Sequence, residues 1–437
     1  MLNKKRVRQM SSWGVPALYA AVAIAAGLTI PRLESGVLPG FVSPMSLSSA
    51  IAIYSSISSG MIALTSIVFS LTFVMVQFSA TAYSPRLVLW IARDPVMSHS
   101  LGIFTATFLY GVAALAGVDR SGSGQVPFFS VLIELALLLA SVGMFIALIH
   151  RIGLLQINRM LVFTGDQGRR VISTIYPSLS SQVVLVAQEG LGDLPCTQTL
   201  IHHGGPRSIQ AVDIAGMVSL AKASDAIIES VVSVGDTVVE LTPLLHICGT
   251  RELIPEEKLR NGIELGNQRT FEQDPKYAIR LLVDIAIRAL SPAINDPTTA
   301  VQALDQIEDL LLRLGQRSLE IGKYHDSDGK LRLVVPFPTW DDLLRLAFDE
   351  ISFYGATSVQ VLRRMNALVA DLSRSVPKER RPAIELWNAR LKSIIARSFA
   401  GDGEERLAAS KEDRQGLGAP RRHSSANEED WTQIPSM

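Results

Sequence analysis

The sequence has 437 residues, of which 48% are apolar, and its net charge is zero at neutral pH. A mean hydropathy of +0.27 is high for a fully soluble chain, so we expect a membrane part among two or three domains. The first 150 residues carry 8 Lys and Arg against 4 Asp and Glu, and the remainder carries 33 against 37. Neither part is basic enough to indicate a nucleic-acid partner.

Four apolar segments of membrane length are predicted in the first third of the chain, each near or above the roughly 20 residues that a helix needs to cross a bilayer. They cover residues 13–30, 50–78, 99–118 and 126–149. The first follows the basic stretch KKRVR, but three more segments come after it, so it is a retained anchor rather than a signal peptide. We predict a cytoplasmic tail over residues 1–12 and a four-helix transmembrane domain over residues 13–150.

Basic residues flank these segments unevenly. One side has only Arg32 and Arg120, each accompanied by an acid, Glu34 or Asp119. The other side carries Lys4, Lys5, Arg6, Arg8, Arg86, Arg93, Arg151 and Arg159. The positive-inside rule predicts a multi-pass protein of the cytoplasmic membrane with both termini in the cytoplasm.

The second segment carries a polar stripe. At 100° per residue, five side chains fall within an arc of roughly 60° on one helix face, and the stripe continues to Ser84 beyond the segment. They are Ser55, Ser59, Ser66, Ser70 and Gln77. Small hydroxylated residues permit close helix packing, whereas the same residues can line a hydrated path for an ion. Both interpretations stay open.

The fourth segment contains one carboxylate, Glu134. A charged side chain in an apolar span costs about 2.5 to 3.5 kcal/mol on insertion scales, so Glu134 should face protein or water. It is a candidate for the same pathway. Alternatively it lies near the outer end of its helix and reaches Arg120 or interfacial water.

Beyond the spans we predict a cytoplasmic α+β region. Short β-branched runs from about residue 171 to 248 indicate a small strand-rich domain over residues 151–255. Helical patterns return near residue 262 and define a helical domain over residues 256–400, followed by a disordered tail over residues 401–437. Cys196 and Cys248 form neither a disulfide framework nor a metal motif, which suits a reducing cytoplasm.

The stretch SPAINDP interrupts two predicted helices. Asp274 and Pro275 supply an N-cap and a first helical residue, and Asp296 and Pro297 repeat that signal after Pro292 has ended the first helix. The stretch is thus predicted to end one helix, form a short connector and begin a second, capped helix.

A charged ladder leads to that connector. Arg280, Asp284 and Arg288 share one face of the first helix among apolar neighbours, so they should be largely buried and paired. Together with Ser291, Asn295 and Asp296 they would form a rigid polar joint or an anion pocket. Removing Asp284 would then cost on the order of 3 kcal/mol.

Three stretches resemble a known family: QFSATAYSPRLVLWIARD, LGIFTATFLYG and RTFEQDPKYAIRLLVDIAIRALSPAINDPTTA. They are similar to a family of predicted bacterial membrane proteins catalogued as domain of unknown function 2254, and the resemblance covers roughly residues 15 to 395. It implies the same layout of membrane helices plus a soluble region in the cytoplasmic membrane, and it implies no activity.

Two functions fit these features. The first is a homo-oligomeric channel or pore-type transport protein in the lipid bilayer, passing a small ion or small ligand under control of the cytoplasmic domain. The alternative is a membrane-anchored sensor or scaffold without transport. We expect no enzyme, cofactor or metal site, since the sequence has no nucleophile–base pair, phosphate loop or metal signature.

The predicted topology is testable at the Ser-Gly loop between the third and fourth segments. In a variant lacking both native cysteines, a single Ser123→Cys should react with a membrane-impermeant maleimide added outside intact cells. Labelling only after the cytoplasmic side is opened would contradict the topology.

Overall fold

The computed structural model of the protein describes residues 14–37, 45–82, 95–116, 127–153, 157–179 and 194–416. The chain divides into two compact units at residues 159 and 160. Each unit is described by itself below.

Four long apolar helices make up the described part of the first unit: α1 (Gly14–Val37), α2 (Leu47–Ala82), α3 (Pro95–Leu115) and α4 (Phe128–Gly153). Each contains a window long and apolar enough to cross a membrane. The prediction of four membrane helices is confirmed, although each helix begins earlier or ends later than its apolar segment alone indicates.

The third helix is the most buried of the four. It approaches α1 closely because small residues lie at the contact: a Cβ atom on Gly27 would lie 2.8 Å from the Cβ of Ala113, and one on Gly102 would lie 2.9 Å from the ring of Tyr19. Small residues allow this close approach between apolar helices. In lipid such helices have no hydrophobic driving force to associate, so close van der Waals packing is what they gain from the contact.

The second unit is mixed α and β. Its helices are α5 (Ile157–Ile175), α6 (Ile214–Ala223), α7 (Glu256–Asn261), α8 (Pro275–Ala289), α9 (Pro297–Gly315), α10 (Trp340–Tyr354), α11 (Val359–Ser375), α12 (Arg381–Ser398) and α13 (Gly403–Ala409). Its strands are β1 (Cys196–Ile201), β2 (Arg207–Val212), β3 (Ile227–Ser230), β4 (Thr237–Val238), β5 (Pro243–Cys248), β6 (Ile263–Gly266), β7 (Lys323–His325) and β8 (Leu331–Val334).

Two sheets organise these strands. The larger has the order β1-β5-β3-β8-β7, in which only the β3–β8 pair is parallel, and the smaller has the order β4-β2-β6. The predicted boundary between a strand-rich domain ending at residue 255 and a helical domain is therefore wrong for β7 and β8. These strands follow two helices of the helical part, yet Leu333 is fully buried beside Ile228 of the larger sheet.

The predicted disordered tail begins too early. Residues 403–409 form α13, which is anchored to α11: Arg363 Nε donates to the Ala408 carbonyl at 2.7 Å, and Asn366 donates to that of Ala409 at 3.0 Å. The Ala409 side chain is fully buried. A polar composition concealed one short apolar turn that fits against α11.

The sequence predicts no disulfide framework and a reducing setting, whereas in the structure Cys196 and Cys248 form a disulfide. The two cysteines are 52 positions apart, and the intervening chain returns antiparallel, so that the first residue of β1 lies opposite the last residue of β5. Disulfides persist in oxidising compartments and are rare in reducing ones. The pair therefore bears on which side of the membrane this unit faces.

Candidate functional site

The corner between α8 and α9 is built by local capping. The Asp274 side chain accepts from the Lys276 backbone N–H at 3.1 Å, and the Asp296 side chain accepts from that of Thr299 at 3.1 Å. A proline opens each helix. The structure thus has the capped start, stop and restart that the sequence predicts.

The connector itself is tight and exposed. Asn295 has φ +48°, a left-handed conformation that asparagine tolerates better than most residues, and its N–H donates to the Ser291 carbonyl at 2.8 Å. The Asp296 N–H donates to the Ala289 carbonyl at 2.8 Å, which ties the restart back to the end of α8.

An anion pocket fits this geometry poorly. The Asp296 carboxylate already accepts from both the backbone N–H and the hydroxyl of Thr299, so an incoming anion would meet a negative charge at the start of α9. A joint that fixes the angle between two helices is the better interpretation.

The charged ladder has an additional partner. Arg280 Nε donates to Asp284 Oδ1 at 2.7 Å, and the two terminal nitrogens of Arg280 donate to the Glu350 carboxylate of α10 at 2.5 and 2.8 Å. These hydrogen bonds lower the pKa of Glu350 and, chiefly through Glu350, raise the pKa of the Arg280 guanidinium. The ladder therefore joins α8 to α10 through a bidentate contact.

Arg288 is half-buried and meets the connector through its backbone, where its carbonyl accepts from the Ser291 hydroxyl at 2.7 Å. The structure thus brings the predicted residues Arg280 and Asp284 into contact, and Glu350 joins them as a further member of the charged ladder. No local signal identifies Glu350, which follows 70 residues after Arg280.

A second ion cluster was not predicted. Arg364 of α11 is almost fully buried and donates to Asp305 at 2.7 Å and to Glu308, both on α9. Burial raises the pKa of Glu308 in spite of the neighbouring guanidinium. Paired charges inside the helical layer thus fix α9 on α11, as Arg280 and Glu350 fix α8 on α10.

In the first unit, Glu134 lies inside the bundle of four helices. Its side chain is fully buried beside Ser58 of α2 and Gly111 of α3. Among the described residues, neither carboxyl oxygen of Glu134 has a hydrogen-bond partner, and the same holds for Ser58 Oγ. Arg120, the alternative partner, lies outside the described residues.

The polar stripe of α2 faces the other way. All five side chains, Ser55, Ser59, Ser66, Ser70 and Gln77, are exposed on the surface of the unit. The buried face of α2, which includes Tyr54, Ser58 and Met61, lies roughly 140° around the helix from the centre of the stripe. The structure therefore does not bring Glu134 and the stripe together, and Ser84 lies outside the described residues.

A buried hydroxyl cluster lies one turn from Glu134. Tyr54 OH donates to Ser130 Oγ at 2.9 Å, and Tyr110 OH lies 2.8 Å from the same oxygen. Glu34 of α1 accepts from the backbone N–H groups of Phe129 and Ser130 at 3.0 and 3.2 Å. The i, i+4 pairs Tyr54–Ser58 and Ser130–Glu134 were a sequence signal for this cluster that the analysis of single segments missed.

The sequence profile of the family described as "Predicted membrane protein (DUF2254)" matches residues 9–371. The chain belongs to this family. Across the part of this family member that the structure describes, no group of three or more His, Cys, Asp and Glu side chains is arranged to hold a metal ion.

Its relatives are uncharacterised. The chain is 27% identical to Uncharacterized protein Rv1290c of Mycobacterium tuberculosis H37Rv and to Uncharacterized protein Mb1321c of Mycobacterium bovis. Each alignment covers 100% of this chain and 85% of the relative. No solved structure matches the chain.

The joint between α8 and α10 gives a stability prediction. Asp284→Ala should lower the free energy of unfolding by about 1.5 to 3 kcal/mol, because a half-buried charged hydrogen bond is lost while Glu350 still pairs with Arg280. The double variant Asp284→Ala, Glu350→Ala should lose about 0.5 to 3 kcal/mol more than the sum of the single losses, because Arg280 then has neither carboxylate.

Denaturant unfolding of the purified full chain in detergent measures both effects. Asp349→Ala on the same α10 is the matched control, since Asp349 is exposed and its contact with Arg390 is 3.9 Å long. The control should change stability by less than about 0.5 kcal/mol. Strict additivity of the two single variants would contradict the shared role of Arg280.

Proposed function

We propose that this protein is a homo-oligomeric channel or pore-type transport protein for small ions in the cytoplasmic membrane. The second unit serves as its gating domain. In this proposal several copies of α2 surround a hydrated pathway, because the four helices of one copy are too few to enclose a pore.

The exposed polar stripe of α2 carries the proposal. Ser66 and Ser70 lie on the outer surface of the four-helix unit, so packing among the described helices of one copy does not account for them. Lipid offers polar side chains no hydrogen bonds, whereas a second copy or water in a pathway offers both donors and acceptors. Repetition of the stripe over more than five helical turns suits a continuous pathway wall better than a single contact.

Glu134 supports the pathway from behind in this proposal. Its neighbour Ser58 is on the buried face of α2, so the carboxyl group lies behind the helix that presents the stripe and does not line the pathway itself. The basic flanks favour cytoplasmic termini. The Cys196–Cys248 disulfide favours the opposite side for the second unit, and the labelling experiment on Ser123→Cys decides between them.

A membrane-anchored sensor or scaffold is the second candidate. One observation favours it: the Ser66 hydroxyl donates to the Ile62 carbonyl of its own helix at 2.9 Å. A hydroxyl satisfied in this way can face lipid at little cost. The spans would then only hold the second unit against the bilayer.

Ion flux in proteoliposomes discriminates the two candidates. Ser66→Leu and Ser70→Leu should each reduce potassium or chloride flux by about tenfold or more, because a bulky apolar side chain narrows and dewets the pathway. Ser56→Leu is the matched control, since Ser56 is exposed on the same helix roughly 70° from the centre of the stripe and should leave the flux nearly unchanged.

Oligomeric state provides the second measurement. The channel requires a stable assembly of several copies in detergent or nanodiscs. A monomer that gives no flux for common ions across a range of voltage, membrane tension and pH would replace the channel by the scaffold.

A further inference from the structure

Buried polar side chains continue along α4 on both sides of Glu134. Towards Glu34 lies the cluster of Ser130 with the hydroxyls of Tyr54 and Tyr110. In the other direction, Thr107 Oγ1 lies 2.8 Å from Ser141 Oγ. All of these groups except Glu34 are almost or fully buried. From Ser130 to Ser141 the column extends over about 16 Å of helix, half of the thickness of a hydrocarbon core.

The side chains in this column can pass a proton. A serine, threonine or tyrosine hydroxyl donates one hydrogen bond and accepts others. When its oxygen accepts a proton, the hydroxyl can therefore pass its own hydrogen, as a proton, to the next acceptor. Tyr54 and Tyr110 both converge on Ser130, whose backbone N–H is held by Glu34. Thr107 Oγ1 also lies 2.9 Å from the Ile103 carbonyl of its own helix and 3.3 Å from the Leu137 carbonyl of α4.

Glu134 lies between the two hydrogen-bonded groups. It follows Ser130 by one helical turn and precedes Ser141 by two turns, so all three are on the same face of α4. Neither Glu134 oxygen nor Ser58 Oγ has a partner among the described residues, and a Cβ atom at Gly111 would lie 2.6 Å from Glu134 Oε1 and 2.5 Å from Ser58 Oγ. Glycine at this position leaves space that a methyl group would fill.

The surroundings of Glu134 favour its neutral form. The described titratable groups near enough to interact with this cluster are Tyr54 of α2, Tyr110 of α3 and Glu34 of α1. A tyrosine or glutamate side chain never carries a positive charge, so none of the three offers an ion pair to a Glu134 carboxylate. A buried carboxyl group without a neighbouring cation has a lower free energy when it is protonated and neutral.

We propose that each four-helix unit contains its own proton path, with the Glu134 carboxyl group as the proton-binding site. The resting Glu134 carboxyl group releases its proton towards one end of the column as its O–H bond breaks. A proton arriving from the other end then binds the carboxylate oxygen and forms the O–H bond again, so that one proton has passed along the column and the neutral carboxyl group is restored. This path goes beyond the proposed ion pathway, because it lies within one copy and on the opposite face of α2 from the stripe.

Proton flux into proteoliposomes tests the proposal. The full chain is reconstituted with an entrapped pH-sensitive dye, and a potassium gradient with valinomycin supplies the driving voltage. Glu134→Gln should reduce proton flux by about tenfold or more, because glutamine cannot take up and release the proton. Gly111→Ala should also reduce it. Gly143→Ala on α4, where a new Cβ meets nothing within 4 Å, is the matched control and should keep the wild-type flux.

Two further measurements separate a proton site from a merely structural role. Infrared difference spectra between the wild type and Glu134→Gln should contain the C=O band of a protonated carboxyl group. Glu134→Asp should retain measurable proton flux, because it keeps a carboxyl group. Wild-type proton flux no greater than that of protein-free liposomes, or undiminished flux in Glu134→Gln, would overturn the proposal. If Ser66→Leu loses potassium or chloride flux but keeps normal proton flux, the substitution disrupts the ion pathway alone and leaves the proton path intact.

Discussion

A bilayer offers no hydrogen bonds, and this constraint organises the first unit. A polar side chain within a span either finds a hydrogen-bond partner in protein or water, or faces lipid at a cost in free energy. The four helices sort their polar groups into two sets. Glu134 and the hydroxyls of Tyr54, Tyr110 and Ser130 turn inward, where helix contacts bury them. The stripe of α2 turns outward, where its side chains are exposed on the surface of the unit.

Close packing makes the inward set possible. Gly27 and Gly102 let α1 and α3 approach, and Gly111 lets α3 pass close to Ser58 and Glu134. A larger residue at Gly111 would force the carboxyl group to move, so the helix contact and the polar interior depend on the same backbone position. The second unit applies a related rule with charges, since Arg280 joins two helices through the half-buried Glu350 and Arg364 joins two through the buried Glu308.

Much of this arrangement could be predicted from the sequence because its signals are local. Span length identifies the four helices, and Asp296 followed by Pro297 identifies the restart after the connector. The remaining features depend on residues far apart in the chain. Glu350 is one exposed acid among many until α10 brings it to Arg280, and Cys196 meets Cys248 only through the pairing of β1 with β5. The sequence predicts that Glu134 faces protein or water, and only the helix packing decides that it is buried against the inner face of α2.

A density map of the purified protein in lipid nanodiscs shows most directly whether the outward stripe of α2 meets another copy or a hydrated pathway. We expect a closed assembly in which Ser66 and Ser70 are shielded from lipid, while Glu134 stays enclosed within each copy. A monomer with both serines facing the lipid would contradict it.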